Sequence, residues 1–246
     1  MATIRLDLRI LEFFYFTKKF IIILPLFFLF GLQRITAQEI ITGKGVEAYF
    51  KNEFNRSYYY YGELSSVGGL ELDSRYTLKG GISLGLAKDI TDIRCFTNAA
   101  FSPPFLKQLN FSLGFIYNGL PEYDAHSYTI LPLVSFNAKW AGISLGTALR
   151  FTSFFGEPAV FESILSISAY VNFINNKTLV LGISCANFNE FKAENMTDYS
   201  LCVNCAVRLS ERWSITNVLE LMQSGIDGLT SSFYGIAWKG GVKYTW

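Results

Sequence analysis

From Tyr234 to Trp246 the chain keeps a strict two-residue alternation. Tyr234, Ile236, Trp238, Gly240, Val242, Tyr244 and Trp246 fall on one face, and Gly235, Ala237, Lys239, Gly241, Lys243 and Thr245 on the other. A period of two is a strand with one apolar and one small or polar face. The rule returns upstream, where Tyr76, Leu78, Ile82, Leu84 and Leu86 interleave with Thr77, Lys79, Gly81, Ser83 and Gly85. It recurs in the segments begun by Leu109, Ile143, Phe161, Leu179 and Tyr199. About ten such segments lie between Tyr76 and Trp246, and two weaker ones near Gly45–Lys51 and Tyr58–Leu72. The chain is therefore expected to be all-β with about 12 strands, ten being the alternative.

Half of the 246 residues are hydrophobic and only 17% are charged, against about 25% in soluble domains. Beyond the amino-terminal region no apolar run is long enough for a spanning helix of about 20 residues. High hydropathy dispersed as alternation suits a membrane β-barrel, whose strands cross an apolar band of about 25 Å in roughly ten residues. A secreted β-sandwich would alternate too, but its water-facing side would be filled with Lys, Glu and Thr. Here that face is mostly Gly, Ser, Ala, Asn and Thr, which suits the crowded inside of a narrow barrel. The net charge of +1, with no basic stripe, gives no reason to invoke nucleic acid.

The last strand ends on Trp246, with Tyr244 and Val242 two and four positions before it. This ending resembles the closing strand of bacterial outer-membrane β-barrels. The resemblance implies a transmembrane antiparallel up-and-down barrel whose partners are outer-membrane lipid and the assembly machinery. Val242, Tyr244 and Trp246 would be the signal that this machinery reads. It leaves the oligomeric state open. At the other end, Lys18 and Lys19 precede a short apolar run, Phe20 to Leu32, of signal-peptide length. The expected organisation is a signal peptide over 1–37, cleaved between Ala37 and Gln38, and a barrel over 38–246. Ile35 departs from the small residue usual before such a site, and the long leader leaves an uncleaved anchor or a misassigned start as alternatives.

The connections alternate in character. Asp73–Arg75, Trp140–Ala141, Asn175–Lys177 and Ser210–Arg212 read as tight turns, and Gly119–His126, Asn187–Asp198 and Ser224–Ser231 as longer polar loops. Counting back from Trp246 as periplasmic puts the long stretches outside. Ser102–Gln108 is an exception, a long turn on the periplasmic side. Loops of about ten residues are long enough to fold inward.

The inward face supplies the candidate functional residues. Lys79, Lys139, Arg150, Arg208, Lys239 and Lys243 are expected in the lumen with Glu162, Glu220 and also Glu63 and Glu71, because a midplane Lys or Arg facing lipid would cost about 2–4 kcal/mol. Two roles are open: a mildly basic pore for small polar solutes, or a closed barrel plugged by cross-lumen pairs such as Arg150 with Glu162, presenting its loops for adhesion or support. A third reading, an outer-membrane enzyme, would need the single histidine, His126, as a base beside a carboxylate and a hydroxyl. The Cys202-Val203-Asn204-Cys205 spacing falls within a strand, where residues three apart point to opposite faces. No metal or cofactor is expected from it. A cross-strand meeting of Cys185 with Cys202 is left open.

Overall fold

The computed structural model describes residues 45–55, 60–72, 75–86, 92–155, 157–194, 198–224 and 232–246. The expected signal peptide, with its cleavage site between Ala37 and Gln38, and the Ser224–Ser231 loop beyond Ser224 lie outside these residues. Twelve strands follow in order: β1 Gly45–Asn55, β2 Tyr60–Leu72, β3 Tyr76–Leu86, β4 Ile93–Phe101, β5 Leu109–Leu120, β6 Ala125–Asn137, β7 Ala141–Ser153, β8 Val160–Asn175, β9 Leu179–Ala186, β10 Asp198–Arg208, β11 Trp213–Ser224 and β12 Ser232–Tyr244.

Each strand pairs antiparallel with its neighbours in sequence, and β12 pairs with β1 to close the barrel. Closure leaves no sheet edge, the condition for a sheet to stand in lipid. Alternation then sorts the side chains. Leu64, Leu78, Leu84, Leu113, Leu145, Phe173, Val203 and Val242 are exposed on the outer face, whereas Ser65, Ser83, Thr129, Ser166 and Thr216 are buried on the inner face. A belt of exposed apolar residues drawn from so many strands far exceeds what a soluble monomer shows.

Aromatic residues gather near both ends of the strands. Toward the end that carries the carboxy terminus, Tyr76 meets Phe101 at 5.2 Å between ring centroids and Tyr244 meets Trp213 at 4.9 Å. At the opposite rim, Tyr117 meets Tyr128 at 5.3 Å and Phe151 meets Phe161 at 4.8 Å. Rings in such positions suit the two membrane–water interfaces.

Two expected connections differ from the structure. The Gly119–His126 stretch is no long loop: Gly119 pairs with His126 and Leu120 with Ala125. Only the short 3-10 turn Pro121–Tyr123 and Asp124 remain between the strands. Asp124 adopts the left-handed conformation (φ 45°), which Asp tolerates, and donates its N–H to Pro121 O at 3.2 Å. The expected Asn187–Asp198 loop does leave from the far rim, but its described part, Asn187 to Glu194, turns back into the barrel. The long Ser102–Gln108 turn lies at the terminal end, as the count from Trp246 requires.

Candidate functional site in the lumen

The inward turn of the β9–β10 connection begins with Asn187. β9 stops at Ala186, opposite Ser168 of β8. Beyond that point Asn187 extends the ladder with its side chain: Oδ1 accepts from Ile167 N at 2.8 Å, and Nδ2 donates to Leu165 O at 2.8 Å. Its backbone N–H also donates to Ile167 O at 3.2 Å, while its carbonyl closes a small hairpin by accepting from Glu194 N at 2.7 Å, with Asn189 N donating to Lys192 O at 2.7 Å. The Asn189 side chain caps the tip by accepting from Phe191 N at 2.8 Å. Arg150 Nη1 holds the returning arm through Ala193 O at 3.0 Å.

The hairpin lies on an apolar shelf inside the barrel. Phe191 and Ala193 are 2% and 4% exposed and cluster with Tyr49, Phe96, Ile116, Leu131, Ala148 and Ile164. The Phe191 ring meets Phe96 edge-on at 5.0 Å. Burying a phenylalanine contributes about 2–3 kcal/mol, enough to hold a short loop in one place. Close approach makes the shelf: a Cβ on Gly81 would fall 2.6 Å from the Phe96 ring, and one on Gly241 would fall 2.8 Å from Tyr49 Cβ.

The opposite wall is charged. Lys51 bridges to Glu220 at 3.1 Å and Glu53 at 3.5 Å. Arg94 reaches Glu63 at 3.3 Å and Asp92 at 2.5 Å, while Ser65 and Ser83 donate to Glu63. Lys239 Nζ sits 3.4 Å above the centre of the Tyr49 ring. The hairpin tip faces these charges with Glu190 and Lys192. Both remain accessible to water in the lumen although the wall encircles them. Enclosure by itself would raise the Glu190 carboxyl, but Lys239, the backbone N–H of Glu190 and Lys79 outweigh it and hold the group below the usual carboxylate value. Enclosure lowers the Lys192 ammonium, with Lys51 and Arg94 adding to the effect and Glu53 and Glu220 opposing it. Lys192 also pairs with Glu194 along the hairpin.

Of the expected lumen charges, Lys79, Lys239, Glu63 and Glu220 line a cavity of about 960 Å³ beside the hairpin. Arg150 and Glu162 pair under the hairpin, with Arg150 Nε to Glu162 Oε2 at 2.8 Å. Lys243 is buried opposite Glu47 on β1, and Arg208 ends β10 opposite Ser214. Lys139 is a correction. β6 ends at Asn137, and Lys139 lies exposed in the turn before β7, its ammonium 5.3 Å from the Trp140 ring. A turn residue is free of the strand alternation, so its parity says nothing about facing. Val242 and Trp246 are exposed on the outer face, and Tyr244 packs between Trp213 and Trp246.

The thiols do not meet. Cys185 opposes Leu201 and Cys202 opposes Ser184, and all four cysteines are free. His126 lies at the far rim, its Nδ1 2.9 Å from the Tyr117 hydroxyl and its Nε2 3.2 Å from Asp124 Oδ1. The hydroxyl brought to His126 is thus a phenol, and Ser127 belongs to the other face of the strand.

The hairpin and its shelf were missed in the sequence. The available signal was a set of apolar residues on otherwise polar faces: Phe96, Ile116, Leu131 and Ile164.

No family model and no curated protein sequence matches this chain. Among solved structures, the barrel is similar to the NanC porin at 8% identity and a TM-score of 0.56, covering 81% of this chain and 100% of that one. It is also similar to the KdgM porin at 10% identity and a TM-score of 0.51, covering 81% and 99%. A second KdgM structure, a complex with disordered oligogalacturonate, is similar at 11% identity and 0.51. At these identities the likeness is one of fold. The chain has the twelve-stranded, all-antiparallel fold of an outer-membrane β-barrel.

Proposed function

We propose that this protein resides in the outer membrane and lets small polar solutes diffuse passively through its lumen, past the inward hairpin. The observation that carries this reading is the cavity beside the hairpin. Its lining runs from Asn110 and Asn137 near the terminal end to Asp198 and Ser224 near the far rim, so space continues along the strands. A volume of about 960 Å³ spread over an apolar band of about 25 Å averages to roughly 40 Å² of section. That section supports traffic in small solutes and excludes folded chains. The charges on the wall keep the space wet and favour polar cargo.

Planar bilayers test this reading. Purified, folded protein is expected to give stepwise conductance with a modest anion preference, and Arg150→Glu is expected to shift that preference toward cations. A silent bilayer containing demonstrably folded protein would leave the closed, loop-presenting barrel as the better account. The docked hairpin and the Arg150–Glu162 pair are what favour that second reading.

In the same reading Val242, Tyr244 and Trp246 serve as the segment read by the assembly machinery. Deleting Trp246 is expected to lower the yield of heat-modifiable, membrane-inserted protein without affecting synthesis. Equal yields from both versions would refute that role.

A further inference from the structure

Five turns join the strands at the end that carries the carboxy terminus: β2–β3, β4–β5, β6–β7, β8–β9 and β10–β11. Each presents one exposed cation, in that order Arg75, Lys107, Lys139, Lys177 and Arg212. Against them the sequence of these turns sets Asp73 and Glu211. The opposite rim has the reverse sign. Outside the inward hairpin, the exposed charged side chains of its connections, among the described residues, are Asp124 and Glu157.

The cations lie close to the aromatic girdle. Lys139 Nζ is 5.3 Å from the Trp140 ring, and Arg212 Nη1 donates to the Tyr244 hydroxyl at 3.4 Å. Arg75 directly precedes Tyr76, whose ring meets Phe101. Lys107 is two residues before the start of β5, and Lys177 two past the end of β8. One residue of extended chain advances about 3.3 Å, and the headgroup layer outside the hydrocarbon is about 5–7 Å deep on each side. These cations therefore fall within that layer. Neighbouring turns are two strands, about 10 Å, apart, so no small ligand joins them. The spacing suits separate anions arrayed around the wall.

We propose that this rim docks the anionic phospholipid headgroups of the leaflet facing the periplasm, each turn offering one cation to one headgroup phosphate. The aromatic rings mark the edge of the hydrocarbon, and the Lys or Arg beside them meets the phosphate through charge-assisted hydrogen bonds. A cell-wall polymer or a periplasmic protein would need cations that project past the headgroups. Four of the five turns place only three or four residues between their strands, which keeps their charges at the membrane surface. The acidic groups of the far rim repel the same headgroups, so the attraction is confined to one leaflet. The inference rests on the proposed residence in the outer membrane, with the carboxy-terminal end toward the periplasm.

The test is quenching of tryptophan fluorescence in the full protein folded into phosphatidylcholine vesicles. Brominated phosphatidylglycerol is the anionic quencher and brominated phosphatidylcholine the zwitterionic control. Three of the four tryptophans, Trp140, Trp213 and Trp246, are exposed at this end of the barrel and report on it. At low ionic strength the parent is expected to favour the anionic lipid at least about fivefold. Most of that preference should vanish in 1 M salt, where charge acts over only about 3 Å. Replacing all five cations with Gln is expected to bring the ratio close to one. Lys107→Gln and Lys177→Gln singly are expected to lower it part of the way, which answers the question if the fivefold variant does not fold. Arg75→Lys with Arg212→Lys, which keeps both charges, and Glu157→Gln on the far rim are expected to leave it unchanged. Equal quenching by the two lipids, a preference that survives loss of all five charges, or sedimentation with purified peptidoglycan in place of a lipid preference overturns the proposal. The readout does not depend on conduction: a silent barrel with intact lipid preference sinks the pore alone, and a conducting barrel without it sinks the docking rim alone. A barrel that enters no vesicle overturns the membrane reading and this inference with it.

Discussion

The two sides of the lumen fasten the same hairpin by different physics. On β1 and β4 to β8, Tyr49, Phe96, Ile116, Leu131, Ala148 and Ile164 form a shelf that buries Phe191 and Ala193. On β11, β12 and β1 to β4, Glu220, Lys239, Lys51, Glu53, Glu63, Lys79 and Arg94 face Glu190 and Lys192. Burial is indifferent to salt and weakly dependent on pH, whereas charge acting across water is screened by one and titrated by the other. The shelf therefore sets whether the hairpin is inside, and the charged wall sets how its tip is held and what passes it.

The largest effect is expected from Phe191→Ala. It removes the hairpin's fully buried ring from the shelf and costs docking about 3–5 kcal/mol. Single-channel conductance should rise severalfold, and the hairpin should become sensitive to protease added from the far side. Unchanged conductance would mean that the apolar side does not hold the hairpin, and the division between the two walls would fall.

A smaller effect is expected from acid. The Glu190 carboxyl is held below its ordinary value, so its contribution to docking is fully present above the ordinary glutamate value of about 4.3. That contribution is lost as pH falls through the lowered value. Lys239 and Lys79 are the cations that act on it. Conductance should hold steady from neutral pH to about 5 and change only below the ordinary carboxylate range, and Glu190→Gln should abolish that change. A transition near neutral pH, or one that survives in Glu190→Gln, would show that another group governs the tip.

Alternation made the barrel legible because every strand residue must face either lipid or lumen. The parity that sets Leu113 outside and Ser112 inside holds across the strands, and Lys79, Lys239 and Glu220 reached the cavity by that rule. Lys139 did not, because a turn releases a residue from strand parity. The hairpin was legible only as a loop long enough to fold inward. Its destination depended on a shelf assembled from six strands, one residue from each. Ile116 and Ile164 look like isolated lapses in a polar face until closure brings them together. Glu190 and Lys192 were hidden for a related reason: a loop sequence carries no period to say which wall it will meet.

The uneven height of the wall has a mechanical consequence. β8 has 16 residues and β9 has eight, and the two pair only from Ser168 onward. Past Ala186, among the described residues, Asn187 makes the bonds to the β9-side edge of β8. Asn187 is thus both the root of the hairpin and the rivet of the lowest seam in the cylinder. A pull that draws the hairpin out of the lumen is borne by that rivet, so the β8–β9 seam, and not the long β1–β12 closure, is where the wall would first part.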